Sequence, residues 1–217
     1  MNSIKTIIKY ELIRYFLSPL AYVYLVGFLL LSGSCAIYFG HFFMDGHASL
    51  WGLFDYQPWI YLLFIPGIAM RSWAEEFHTK SIVQILTVPV SVTDLVWGKF
   101  LASWIFAIIA ILLTFPFWIT VNILGNPDNT VIIIGYLGCF ILAGAMLAIS
   151  QTMSALTKSP VIALVLGVFV NLLFFWSGFE YVLFWARELF SDVIVDTIIS
   201  FLSLIHISEP TRPEPIS

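Results

Sequence analysis

The chain has 217 residues, of which 60% are hydrophobic, 17% aromatic and only 10% charged, with a formal net charge of −4 and a mean hydropathy of +0.98. Water-soluble domains sit near ~45–50% apolar and ~25% charged, so most of this chain is solvated by lipid. No basic run points to nucleic acid, and Cys35 and Cys139, each inside an apolar run, read as buried thiols and supply no disulfide framework.

The first element is "SIKTIIKYELIRYFLSP", in which Ile4, Ile7, Ile8, Leu12, Tyr15 and Phe16 recur at spacings of three and four. Lys5, Lys9 and Arg14 lie off that stripe. The pattern predicts a helix in the membrane interface with its basic face toward anionic headgroups, and Pro19 allows the chain to turn into the bilayer. The plainer alternative is a basic flank that only sets topology.

Five apolar stretches follow, at about 20–40, 56–70, 100–124, 130–157 and 159–179. A span needs about 20 apolar residues, so four qualify on length alone. The stretch 56–70 is short and carries Pro58 and Pro66, and Asp55 must sit at its boundary because an Asp at the bilayer centre costs roughly 2.5–3.5 kcal/mol. Orientation supports it as a span: with it, Lys5, Lys9, Arg14, Arg71, Lys80, Lys99 and Lys158 all fall on one side, seven of the nine basic residues. The positive-inside rule then places the N-terminus in the cytoplasm. Continuous apolar runs favour helices over a barrel, whose strands alternate. The expected fold is an all-α polytopic membrane protein with interfacial amphipathic helices.

Between the second and third spans lies "RSWAEEFHTKSIVQILTVPVSVTDLVWGK", residues 71–99, which gathers Arg71, Glu75, Glu76, His78 and Lys80 into ten positions. Trp73 with Phe77, and Ile82 with Ile85 and Leu86, share helical faces, and Pro89 breaks the run. Ser91 to Asp94 offers N-cap chemistry for a helix entering the third span. In the fourth span, Gly144 with Ala148 and Ser150 with Ser154 are four apart, the spacing of close helix packing. Gln151 and Asn171 are the polar side chains deep enough to line a transport pathway, and either can equally be an interhelical hydrogen bond. After the fifth span, Val182, Ala186, Leu189, Phe190, Val193, Ile194 and Ile198 make an apolar face opposite Glu188, Asp192 and Asp196, which predicts a second interfacial helix.

Several chemistries have no motif here. There is no G-x-x-x-x-G-K-[ST], no H-E-x-x-H, no C-x-x-C and no G-x-S-x-G. His41, Asp45 and His47 are not spaced as metal ligands on a helix. None of the five runs contains an ionisable residue of the Asp, Glu, Lys, Arg or His type, which argues against an intramembrane hydrolase or a proton relay.

Two stretches carry a resemblance. "YELIRYFLSPLAYVYL" and "MRSWAEEFHTKSIVQILTVPVSVTDLVWGKFLA" resemble the permease subunits of ABC-2 type transporters, and within them the gliding-motility-associated branch. Glu11, Tyr15, Phe16, Ser18, Pro19 and Leu20 match the first motif. Ala74, Glu75, Glu76, Leu86, Thr87, Pro89, Val90, Gly98 and Lys99 match the second. The resemblance covers about residues 1–203 and implies six spans, of which five are present. It also implies pairing with a second permease subunit, homo- or heterodimeric, and a separate ABC ATPase that binds ATP and Mg, with no cofactor on this chain. It implies docking of that ATPase on the interfacial helix (Lys5, Lys9, Glu11, Arg14) and on the loop (Arg71, Glu75, Glu76, His78, Lys80, Pro89), and a bacterial inner-membrane location. The tail "SLIHISEPTRPEPIS" stands where the sixth span is expected, so residues 204–217 read as foreign sequence; the alternative is a natural disordered tail. The expectation is an exporter subunit linked to motility or secretion; the alternative is a non-transporting scaffold of such a complex.

Overall fold

The computed structural model describes residues 2–39, 50–81 and 91–177. Pro89, the helix expected after residue 179 and the tail 204–217 lie outside the described residues. Among the described residues there is helix and no strand. In chain order the elements are α1 (Asn2–Leu17), α2 (Pro19–Ser34) continuing into a π-helical turn (Cys35–Phe39), α3 (Trp51–Ala69), α4 (Ala74–His78), α5 (Val92–Leu112), α6 (Phe115–Leu124), α7 (Asn129–Leu156) and α8 (Pro160–Ser177).

Local chemistry sets the boundaries. Ser18 stands in extended backbone ahead of Pro19, which occupies the first turn of α2, where its missing N–H costs nothing. The Ser91 hydroxyl accepts from the Asp94 amide at 3.1 Å, the cap expected from sequence. Because of that cap α5 begins at Val92, so the end of the stretch read as a loop, residues 92–99, is the first two turns of this helix. The stretch 100–124 is interrupted at Leu113 and Thr114, just ahead of Pro116, which cannot continue the hydrogen-bond ladder. Asp128 caps α7 by accepting from the Thr130 amide at 2.9 Å.

Four of the helical segments, Pro19–Tyr38, Val92–Leu124, Asn129–Leu156 and Pro160–Ser177, are long and apolar enough to cross a membrane. Their buried positions form narrow stripes. In α2 these are Ala21, Leu25, Phe28 and Ser32, and in α8 they are Ala163, Gly167 and Asn171. The remaining faces expose Leu, Ile, Val and Phe, as lipid requires. The 19-residue α3 is different: it packs against α2, α7 and α8, and Ile60, Tyr61, Leu62, Phe64, Ile65 and Ile68 are all buried. Its low apolarity goes with its place at the centre of the bundle, where protein surrounds it, and Asp55 lies near its start. Position 67 must be glycine for close approach, because a Cβ there would come within 2.7 Å of the Tyr24 ring.

Helix α1 lies against α5. Its apolar residues divide between two surfaces. Tyr15 stacks on Phe106 at 5.1 Å between ring centroids, and Ile7 sits so close to Gly98 that a Cβ there would be 2.5 Å from its Cγ2. Ile13 and Leu17 face outward. The apolar stripe of the expected interfacial helix therefore rests in part on α5. In α7 the small-residue expectation holds at Gly144, which lies under Trp104 as that indole donates to the Phe140 carbonyl at 3.0 Å. It holds also at Ser150 and Ser154, both buried, whereas Ala148 is exposed and the packing face runs through Ala143 and Leu147 in its place.

Candidate functional site: a charge cluster at one end of the bundle

Three chain segments far apart in sequence meet at one end of the bundle: α1, the turn with α4, and the first turns of α5. Lys99 lies two turns into α5 and is 1% exposed. Its ammonium donates to Glu11 Oε1 at 2.8 Å, to the Ser72 carbonyl at 3.1 Å and to Glu76 Oε1. A buried ammonium is stable only when its three protons find acceptors, and these are the three. The Trp73 ring also lies 5.2 Å from the Lys99 nitrogen, within cation–π range.

Glu76 is buried as deeply, at 1% exposure. Its Oε1 also accepts from Arg14 at 2.9 Å. Arg14 approaches Glu11 at 3.7 Å and Glu75 at 3.6 Å. These three carboxylates hold the guanidinium more firmly protonated than usual, outweighing the burial that opposes charge. Arg71 closes the outer edge. It grips both oxygens of Glu75, at 2.8 and 3.2 Å, and donates to Ser18 Oγ at 2.8 Å, between α1 and α2. Hydrogen bonding to Arg71 depresses the Glu75 carboxyl below its ordinary range; partial burial opposes this, and the charges of Arg71 and Arg14 assist it.

The cluster thus sets Arg14, Arg71 and Lys99 against Glu11, Glu75 and Glu76, three cations against three anions. Charge neutrality allows so many ionised groups to be withdrawn from water together. Beneath it the Tyr15 hydroxyl lies 3.0 Å from Ser103 Oγ and 3.3 Å from the Ile68 carbonyl, and burial pushes that phenol up to about 12. Ser154 of α7 accepts from the Trp73 and Ala74 amides at 3.3 and 3.1 Å, so α4 is tied to a third helix.

The described residues expected for the loop separate into three kinds. Glu76 is an internal strut. Arg71 and Glu75 are half-buried on the rim, while His78 and Lys80 are exposed, with Lys80 at φ 58°, the left-handed turn that ends α4. On α1, Glu11 and Arg14 belong to the cluster, while Lys5 and Lys9 are exposed away from it. Gln151 and Asn171 both make interhelical hydrogen bonds: Gln151 donates to Ser103 Oγ at 3.0 Å and Asn171 to Ser150 Oγ at 2.7 Å.

Lys99 is the residue that sequence reasoning undervalued, since it counted only as one more basic residue on one side. Its signal was that Lys99 and Glu11 both fall within the motifs carrying the resemblance. The basic residues Arg14, Arg71 and Lys99 do converge on one end of the bundle, in keeping with their assignment to one side. Among the described residues no group of three or more His, Cys, Asp or Glu side chains is arranged to hold a metal.

Compared with known families, the chain matches the model for ABC-2 family transporter proteins over residues 20–212. No curated protein and no solved structure matches it.

Proposed function

The chain belongs to the ABC-2 family of transporter proteins, and from that premise we propose that it is an export permease subunit worked by a separate ATPase that docks beside α4. Permeases of this family are membrane subunits, and the helices described here are of membrane-crossing length and apolarity. The observation that carries the docking proposal is the connection of α4 to Lys99. A force applied to the outer edge of α4 and the turn that follows it, at half-buried Glu75 and exposed His78 and Lys80, passes through the buried Glu76 carboxylate to Lys99 and hence to the first turns of α5, a spanning helix. The same carboxylate holds Arg14, so α1 moves with it. A five-residue helix would not transmit load alone; the buried Glu76–Lys99 pair and the part-buried pairs of Glu76 with Arg14 and of Glu75 with Arg71 make it a rigid part of the bundle end.

In this reading the docking end faces the cytoplasm of a bacterial inner membrane, ATP and Mg bind the partner ATPase, and a second permease subunit completes the pathway. The "YELIRYFLSPLAYVYL" start supports assignment to the gliding-motility-associated branch and a role in motility or secretion. The test is reconstitution of the full chain with its ATPase subunit. Glu75→Gln, at the rim, should weaken stimulation of ATP hydrolysis while insertion and unfolding temperature stay near those of the unaltered protein. Unchanged stimulation overturns the docking site. Failure of any ATPase to associate with the intact protein overturns the permease reading in favour of a scaffold.

A further inference from the structure

On the side of α1 turned away from the charge cluster, an open groove of about 590 Å³ runs between α1 and the start of α2. Lys5 and Lys9 stand at one end, and Leu12, Phe16, Leu17 and Tyr22 form the rest. We propose that this groove is a binding site for one anionic phospholipid, its phosphate between Lys5 and Lys9 and an acyl chain along the apolar wall.

Three observations carry this. First, the groove has a net positive charge at one end. The other two charges of α1, Glu11 and Arg14, are consumed in the neutral cluster, whereas Lys5 and Lys9 make no ion pair among the described residues. Second, their spacing of four places both ammonium groups on one helix face, about 5–6 Å apart at Cβ, so both reach a single phosphate. Third, the apolar wall is continuous with the membrane-facing surface. Leu17 is 78% exposed and Tyr22 53%, and beyond Tyr22 the exposed Val23 and Val26 continue down the span Pro19–Tyr38. A groove that opens on lipid at one end and holds two free cations at the other matches a molecule with an acyl chain and an anionic head.

Native mass spectrometry of the full chain in detergent, titrated separately with phosphatidylglycerol, phosphatidylcholine and soluble glycerol phosphate, tests the proposal. Phosphatidylglycerol should be retained preferentially. Lys5→Gln should weaken that retention about fivefold, and Lys9→Gln should do the same. Lys158→Gln, an exposed lysine elsewhere, should leave it unchanged, as should the charge-keeping pair Lys5→Arg and Lys9→Arg. Leu17→Ser should weaken it without altering the negligible binding of glycerol phosphate. Equal retention of phosphatidylcholine, equal loss in Lys158→Gln, or glycerol phosphate binding as tightly as the lipid would each overturn the site. So would cross-linking of Lys9 to a second copy of the chain, which would make the groove a protein interface.

Discussion

Lys99 of α5 and Glu11 of α1, 88 residues apart, meet at 2.8 Å with both side chains buried. Each carboxylate and the ammonium balance one another there, and Glu76 of α4 accepts from the same ammonium. Ion pairs withdrawn from water in this way contribute little net stability compared with an apolar replacement, but breaking one member leaves an uncompensated charge.

Lys99→Met is therefore expected to destabilise the protein by about 3–5 kcal/mol, because Glu11 and Glu76 lose their shared cation. Adding Glu11→Gln and Glu76→Gln to that variant should recover part of the loss. Thermal unfolding of the purified protein in detergent checks both. A single-variant effect under about 1 kcal/mol would show that Lys99 is not the keystone of the cluster.

Glu75 and Glu76 are adjacent and chemically identical, yet their substitutions should differ. Glu76→Gln should cost about 3–5 kcal/mol, since Lys99 and Arg14 both lean on that one oxygen. Glu75→Gln should cost less than about 1 kcal/mol, as expected of a pair on the rim. Equal unfolding temperatures for the two variants would contradict the burial difference between them.

The Glu75 carboxyl has its pKa lowered in the folded protein, chiefly by Arg71. A depressed carboxylate contributes stability at all pH values above its unfolded pKa of roughly 4.3, and loses that contribution as pH falls through the lower folded value. The stability difference between the protein and Glu75→Gln should thus be constant from about pH 6 to 8, begin to fall as pH drops toward the unfolded value, and be gone only once pH is below the lowered folded value. Unfolding measured across that range checks the sign.

Gly98 allows α1 to lie on α5, with a Cβ there meeting Ile7 Cγ2 at 2.5 Å. Gly98→Ala should destabilise by about 1–3 kcal/mol through overpacking. Ile7→Ala in the same chain should relieve most of it. Strict additivity of the two substitutions would place Ile7 elsewhere.

Asn171→Ala removes a buried bond to Ser150. A double-mutant cycle with Ser150→Ala, read by thermal unfolding in detergent, should give a coupling of about 0.6 kcal/mol and at most about 1.7.

The sequence alone was sufficient for the helical membrane architecture, four spans by length, the Ser91 cap and the gathering of basic residues at one end. These depend on local properties: the length of apolar runs, the position of a proline, the counting of charges. Tertiary structure decided which of those charges face water. Lys99 and Lys80 are the same residue type in neighbouring parts of the chain, yet one is buried and the other exposed, because only Lys99 has Glu11, Ser72 and Glu76 brought to it. Those partners lie 88, 27 and 23 residues away, beyond any helical or strand periodicity. Likewise α3 reads as the weakest span and is the most enclosed helix, since apolarity measures contact with lipid and not with neighbouring helices.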